Sequence, residues 1–269
     1  MMSDFFQYDF LMRALIAGIL LGMLAPVIGQ FLVVRRFSLL ADTLSHVSLL
    51  GVAVAVFFRW PIFLGALSAA LFGGLGMESL RRSGKVMSES ILALFLSGSL
   101  ATALILLAVS NGTNINLLSY LFGSISTVTK IDLWILLALL FAAASFLIIG
   151  YRKLFLLSLD EDLARASGVP AERYNVLFIL LASAVVAGSI GIVGALLIGA
   201  LMIVPVLAAM QWRRSFLATL LLSIIFAEFS VVAGFFSSYQ LDLPSGATIV
   251  LWAIATFGFS YLLNSRKMA

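Results

Sequence analysis

Apolar residues in this chain come in long, nearly unbroken blocks separated by short polar connections. Nine blocks are visible, at about 11–34, 39–58, 62–80, 88–109, 131–150, 174–192, 194–211, 216–236 and 247–264. A helix rising about 1.5 Å per residue needs about 20 apolar residues to cross a hydrocarbon core about 30 Å thick. Each block is therefore a candidate membrane-spanning helix, with 194–211 at the short limit. The division between the sixth and seventh is weak. Gly188-Ser189-Ile190-Gly191-Ile192-Val193-Gly194 reads either as a short turn or as a kink inside one helix, which leaves eight or nine spans.

Composition agrees with the pattern. The chain has 269 residues, of which 63% are hydrophobic and 10% charged, with a mean hydropathy of +1.18. A soluble domain carries about 25% charged residues. The reading is an all-α, polytopic membrane protein forming one transmembrane domain over residues 1–269. The first block runs directly into further spans without a small-residue cleavage site, so it reads as a membrane helix and not as a signal peptide. The absence of cysteine excludes disulfides and thiolate metal sites.

Charge orients the spans. Arg35/Arg36, Arg81/Arg82/Lys85, Arg152/Lys153, Arg165/Arg173, Arg213/Arg214 and Arg266/Lys267 make 13 of the 16 basic residues. All fall on one side if the spans alternate, and that side is expected to be cytoplasmic. The N-terminus, with Asp4 and Asp9, is then outside and the C-terminus inside. The net charge of +4 comes from these clusters and does not point to nucleic acid. Nor does the chain carry an ATP-binding phosphate loop: the nearest fragment, Ser83-Gly84-Lys85, lacks the first glycine and continues into Val86.

Two connections are long. Residues 110–130 fall outside, and their apolar second half predicts a short helix at the membrane surface. Residues 154–173 fall inside. There Ser158-Leu159-Asp160-Glu161 fits a capping box with Ser158 as N-cap, Asp160, Glu161 and Asp162 suit a helix N-terminus, Gly168 is placed to stop the helix, and Pro170 to open the next. A cytosolic helix of about ten residues is expected, either a plain loop helix or a docking surface for a cytosolic partner. Within the spans, Gly18/Gly22, Gly73/Gly74/Gly76 and Gly191/Gly194/Gly199 predict close helix packing.

The chemistry concentrates in the second span, Ala41-Asp42-Thr43-Leu44-Ser45-His46, which holds the single histidine of the chain. Four residues make just over one helical turn, so Asp42 and His46 project from one face. Ionisable groups inside a membrane are costly unless paired or hydrated, so the pair is a functional candidate. Counted from Arg36, Asp42 lies about 9 Å and His46 about 15 Å into the span, the latter near the midplane. A carboxylate and an imidazole form a half-site for a divalent metal. Two copies related by a two-fold axis would supply two oxygens and two nitrogens, with water or Ser45 and Ser48 as other donors. Glu228, in the eighth span, is a second intramembrane charge, read as a third ligand, a proton relay or a structural partner. Glu78 and Glu89 read as solvated loop charges, and Asp242 as part of an external turn. One histidine cannot make the His-Glu-x2-His pair of an intramembrane zinc protease.

Arg35-Arg36-x-Ser38 followed by Asp42-Thr-Leu-Ser-His46-Val-Ser-Leu-Leu-Gly51 resembles the signature of the membrane permeases of zinc/manganese ABC importers. Tyr120-Leu-Phe-Gly123, the stretch from Val193-Gly194 through Gly199 to Pro205, and Leu243-Pro244-Ser245-Gly246 are similar to that family too, in the expected order. The resemblance implies a homodimeric permease of the vitamin B12 importer type with fewer helices, in a bacterial cytoplasmic membrane. It implies a separate cytosolic ATPase, an extracytoplasmic metal-binding protein, no permanently bound cofactor and no enzyme activity in this chain. It makes the helix within 158–170 the coupling helix, with Asp160, Glu161, Ala164, Arg165 and Gly168 as its residues, and Asp42 and His46 the metal site. The Asp-Thr-Leu-Ser-His form with Leu-Leu-Gly after it favours zinc(II) as cargo over manganese(II) or iron(II). A proton-coupled secondary transporter using Asp42, His46 and Glu228 is the alternative mechanism.

Overall fold

The computed structural model describes residues 8–110, 120, 123 and 128–265. Among them every regular element is a helix: α1 (Asp9–Val34), α2 (Leu39–Phe58), α3 (Ile62–Ser83), α4 (Ser88–Val109), α5 (Lys130–Leu159), α6 (Glu161–Ala166), α7 (Ala171–Met210), α8 (Phe216–Leu241) and α9 (Ser245–Ser265). All but α6 are long and apolar enough to cross a membrane. The expected surface helix within 110–130 and the charges Asp4, Arg266 and Lys267 lie outside the described residues.

The sixth and seventh blocks form one helical stretch of 40 residues, α7, interrupted at Gly194 with φ 83° and ψ 160°. That conformation is essentially restricted to glycine. A straight helix of this length would hold its ends about 60 Å apart. Instead, the ring of Phe178, near the start of α7, lies 6.0 Å from that of Phe31, and Phe216, just beyond its end, lies 5.1 Å from the same ring. The chain therefore doubles back at Gly194. Residues 171–193 run out for about 34 Å and 195–210 return for about 24 Å. The weak break in the sequence is a reversal: among the described residues eight helical stretches are of membrane length, and α7 is made of two arms that run in opposite directions.

Contacts at the two ends of the bundle fit this reversal. The Gln30 amide donates to the Phe216 carbonyl oxygen at 2.7 Å, and Arg35 donates to the Asn175 side chain at 2.9 Å. Arg81 reaches Glu161 and Arg82 reaches Glu172. These contacts gather the ends of α1 and α3, the short α6 and the starts of α7 and α8 at one face, together with basic residues. At the opposite face Gly123 packs on Val193, and Val128, Ile192 and Ser245 line one small cavity.

The core is built on α1, α2 and α7, whose buried residues include Phe31, Leu24, Leu44, Leu49 and Leu197. The helices α4, α5 and α9 turn mostly apolar side chains outward, for example Leu94, Phe141, Ile148 and Leu251. A helix that is hydrophobic all round suits lipid on one side and packed protein on the other. Between α2 and α3 the backbones nearly touch: a Cβ on Gly65 would stand 2.5 Å from the Gly51 carbonyl oxygen. Small residues allow this approach, and in lipid such packing is a main source of helix association.

Three expectations change at the basic face. The fifth block, predicted to end at 150, continues to Leu159 and carries Arg152 and Lys153 within the helix. Ser158 is thus inside α5, where its hydroxyl donates to the Leu154 carbonyl oxygen at 2.7 Å, and it does not cap α6. The N-cap is Asp160, whose carboxylate accepts from the amides of Asp162 and Leu163 at 2.9 and 3.0 Å. The short α6 ends as predicted at Gly168, φ 80°: its amide bonds to the Arg165 carbonyl and that of Val169 to the Ala164 carbonyl, the paired bonds of a Schellman motif. Finally, Glu78 is not a solvated loop charge. It belongs to α3 and is only 2% exposed.

Candidate functional site

Asp42 stands in the first turn of α2 and His46 one turn further, and the structure brings them together on one face as their spacing requires. The His46 Nε2 lies 3.9 Å from Asp42 Oδ1; the histidine side chain is 15% exposed and the aspartate 48%. Two atoms each about 2.1 Å from one ion lie about 3.0 to 3.4 Å apart at octahedral or tetrahedral angles, so the pair needs to close by about 0.5 to 0.9 Å to hold it. The other histidine nitrogen, Nδ1, is buried without a hydrogen-bond partner among the described residues. Val47, the next residue, packs on Gly73 near the middle of α3, so His46 stands at mid-depth in the bundle.

The neighbours leave the pair open on one side. Gly199 of the returning arm of α7 faces Asp42: a Cβ there would meet Oδ1 at 3.8 Å, an ordinary contact. The hydroxyls considered as further donors are turned away. Ser45 donates to the Ala41 carbonyl at 3.0 Å and Ser48 to the Ala66 carbonyl at 3.3 Å, and both are fully buried. Among the described residues no three of His, Cys, Asp and Glu gather at one point. Glu228 is held elsewhere, on α8 against Gly22 of α1, with its Oε1 buried and without a hydrogen-bond partner among the described residues. The structure does not bring it to Asp42 and His46.

The sequence missed the second cluster, at the basic face. Arg81 donates twice to Glu78, at 2.7 and 2.8 Å, and to Glu161 of α6 at 3.0 Å. Arg82 also donates to Glu78, at 3.1 Å, and Arg165 to Glu161 at 2.7 Å. Burial raises the Glu161 carboxyl, but its bonds to Arg81 and Arg165 outweigh burial and hold it below the ordinary carboxylate range. Burial also pulls the Arg35 guanidinium down to about 10. Beside them a cavity of about 470 Å³ is lined by Arg35, Glu78, Arg81, Asp160, Glu161 and Asn175. The signal available in the sequence was Glu78-x2-Arg81-Arg82, whose i,i+3 and i,i+4 spacing pairs these charges on one helix.

Of the residues expected on α6, Ala164 is fully buried against Leu157 and Ala171, while Leu163 projects outward at 54% exposure. The helix therefore rests on the bundle by one side and offers a partly apolar outer side.

Comparison with known proteins agrees with this architecture. The chain is 30% identical over 261 residues to the manganese transport system membrane protein MntC of Halalkalibacterium halodurans, covering 97% of this chain and 89% of that one. It is 37% identical over 248 residues to a Treponema pallidum protein named "Probable metal transport system membrane protein", covering 92% and 93%. Among solved structures, PsaBC from Streptococcus pneumoniae in complex with Fab matches with a TM-score of 0.85 and 30% identity over 97% of this chain and 95% of that one. The family model described as the ABC 3 transport family matches residues 7–264. This bundle, with a carboxylate and an imidazole one turn apart at mid-depth, belongs to the ABC 3 transport family and is the membrane permease of a metal importer, a transport subunit and not itself an enzyme.

Proposed function

We propose that this chain is the permease of an ATP-driven manganese(II) importer, and that Asp42 and His46 form the point at which the ion rests on its way inward. The observation that carries the site is the geometry of the pair: two donors on one helical face, the aspartate half exposed, and no third ligand among the described residues. An incomplete shell suits cargo, which must be released as well as bound. A second copy of the chain, facing the first across a two-fold axis, would complete four donors.

The zinc expectation yields to manganese because the relative reported above with a named cargo is a manganese transport protein. The donor set is compatible with both metals. Affinity order alone favours zinc, so discrimination in favour of manganese would rest with the extracytoplasmic binding protein. Carboxylate and water, which suit manganese, can fill the positions His46 leaves open.

In the assembled importer the basic face is cytoplasmic, by the excess of Arg and Lys in its short loops. There a separate ATPase would engage α6 through the outer side carrying Leu163. Metal would enter from the opposite face, delivered by the binding protein. The test is uptake of manganese by the permease reconstituted with its ATPase and binding protein. Asp42→Ala and His46→Ala are each expected to lower it by about tenfold or more, equivalent to at least about 1.4 kcal/mol of lost interaction. Uptake that is unchanged in both variants sinks the site. Uptake of zinc but not manganese by the parent protein would reverse the choice of cargo.

A further inference from the structure

We propose that Arg81 is a positioning residue that ties the cytosolic helix α6 to the metal-bearing helix α2, so that movement of α6 alters the Asp42/His46 pair. This deepens the reading of α6 as the ATPase-facing element and rests on it. Three observations carry it.

First, Arg81 bridges two elements with one guanidinium. Its Nε and Nη2 are fixed on Glu78 of its own helix at 2.7 and 2.8 Å, and its Nη1 holds Glu161 of α6 at 3.0 Å. Glu78 is 2% exposed and Arg81 21%, so the bridge is partly withdrawn from water, where ion pairs are strongest and least screened. The planar guanidinium suits this fork, and an ammonium would not reproduce it.

Second, α3 passes its position to α2 without slack. At one level Gly65 lies against Gly51, and a Cβ on Gly73 would stand 2.5 Å from the Val47 side chain. Val47 follows His46 directly. A further cation-π contact sets Arg81 at 6.0 Å from the Phe37 ring, at the entry to α2. Close-packed helices shift as units and do not deform continuously.

Third, α6 has room to move on that side. The cavity of about 470 Å³ lies between α6 and the ends of α1 and α3, with Arg81 and Glu161 both on its wall. Besides its short packing side, the Glu161 bond to Arg81 is the polar link that the described residues show between α6 and α3.

The experiment measures metal taken up per ATP hydrolysed by the complex reconstituted in liposomes. Arg81→Met is expected to lower that ratio by about fivefold or more, the lower range of coupling between sites, with Arg81→Lys falling between Met and the parent. A double variant, Arg81→Cys with Glu161→Cys, allows a bismaleimide to rebuild the tie, since this sequence has no other cysteine. Cross-linking is expected to restore the ratio. If the cross-linked protein stays at the level of the unlinked one, or if hydrolysis and uptake fall together at a constant ratio in Arg81→Met and Arg81→Lys alike, the proposal is overturned. Leu163→Glu separates the two readings: a complex that still binds its ATPase overturns α6 as the docking element, whereas loss of binding alongside an unchanged ratio in the Arg81 variants overturns only the tie.

Discussion

At the scale of single residues, three positions stand out: Gly194, Asp42 and His46. Gly194 holds φ 83° and ψ 160° at the reversal of α7, a region other residues enter only under strain. Gly194→Ala is expected to cost about 1 to 3 kcal/mol, read as a lower unfolding temperature of the purified protein in detergent. An unchanged transition would mean that the reversal is not made at Gly194. His46 and Asp42 were legible because a four-residue spacing and the rarity of charge in an apolar span are both properties of sequence. What the spacing left open was their depth and surroundings. Packing of Val47 on Gly73 sets the depth, and the turning of Ser45 and Ser48 to backbone carbonyls removes them as donors.

At the scale of elements, α6 shows how a cap can be misread by two residues. Ser158 and Asp160 are both good N-caps, and local propensity does not choose between them. The choice falls to α5, which runs on to Leu159 because Leu154 and Leu157 bury against the bundle. The charges of α6 give it a defined acid sensitivity. Glu161 titrates below its ordinary range in the folded protein, so its contribution is complete above that ordinary range and is lost as pH falls through the lower folded value. Glu161→Gln is therefore expected to lose stability relative to the parent near neutral pH and to converge with it in acid, as followed by thermal unfolding at stepped pH. A constant difference between the two proteins across that range would remove the ion pair as its cause. Glu78 was misjudged for a related reason: sequence shows a charge beside a basic cluster, but not that Glu78 is buried beneath its bonds to Arg81 and Arg82.

At the scale of the whole molecule, the reversal at Gly194 decides topology. If each arm of α7 crosses the membrane, the start of α1 and the end of α9 lie on opposite faces; if α7 counts as one crossing, they share one. A chain without cysteine allows a direct test by single substitutions in cells. Cysteine at Asp242, the exposed C-cap of α8, is expected to react with an impermeant maleimide from outside, and cysteine at Leu163 only after the membrane is opened. The reverse labelling would invert the orientation drawn from the positive charges.

Sequence alone determined that the chain is a bundle of membrane helices, where most of them begin and end, and that Asp42 and His46 share one helical face. These follow from local quantities: the length of apolar runs, the period of a helix and the sign of loop charge. Tertiary structure alone decided that Gly194 reverses the chain, that Glu228 stands apart from Asp42 and His46, and that Glu78, Arg81 and Glu161 form one cluster. Each of these depends on which helices become neighbours. Apolar patterning specifies that a helix is buried in lipid or protein, but nearly uniform apolar surfaces do not say against which partner, and that choice is made by the fit of small residues such as Gly51, Gly65 and Gly73.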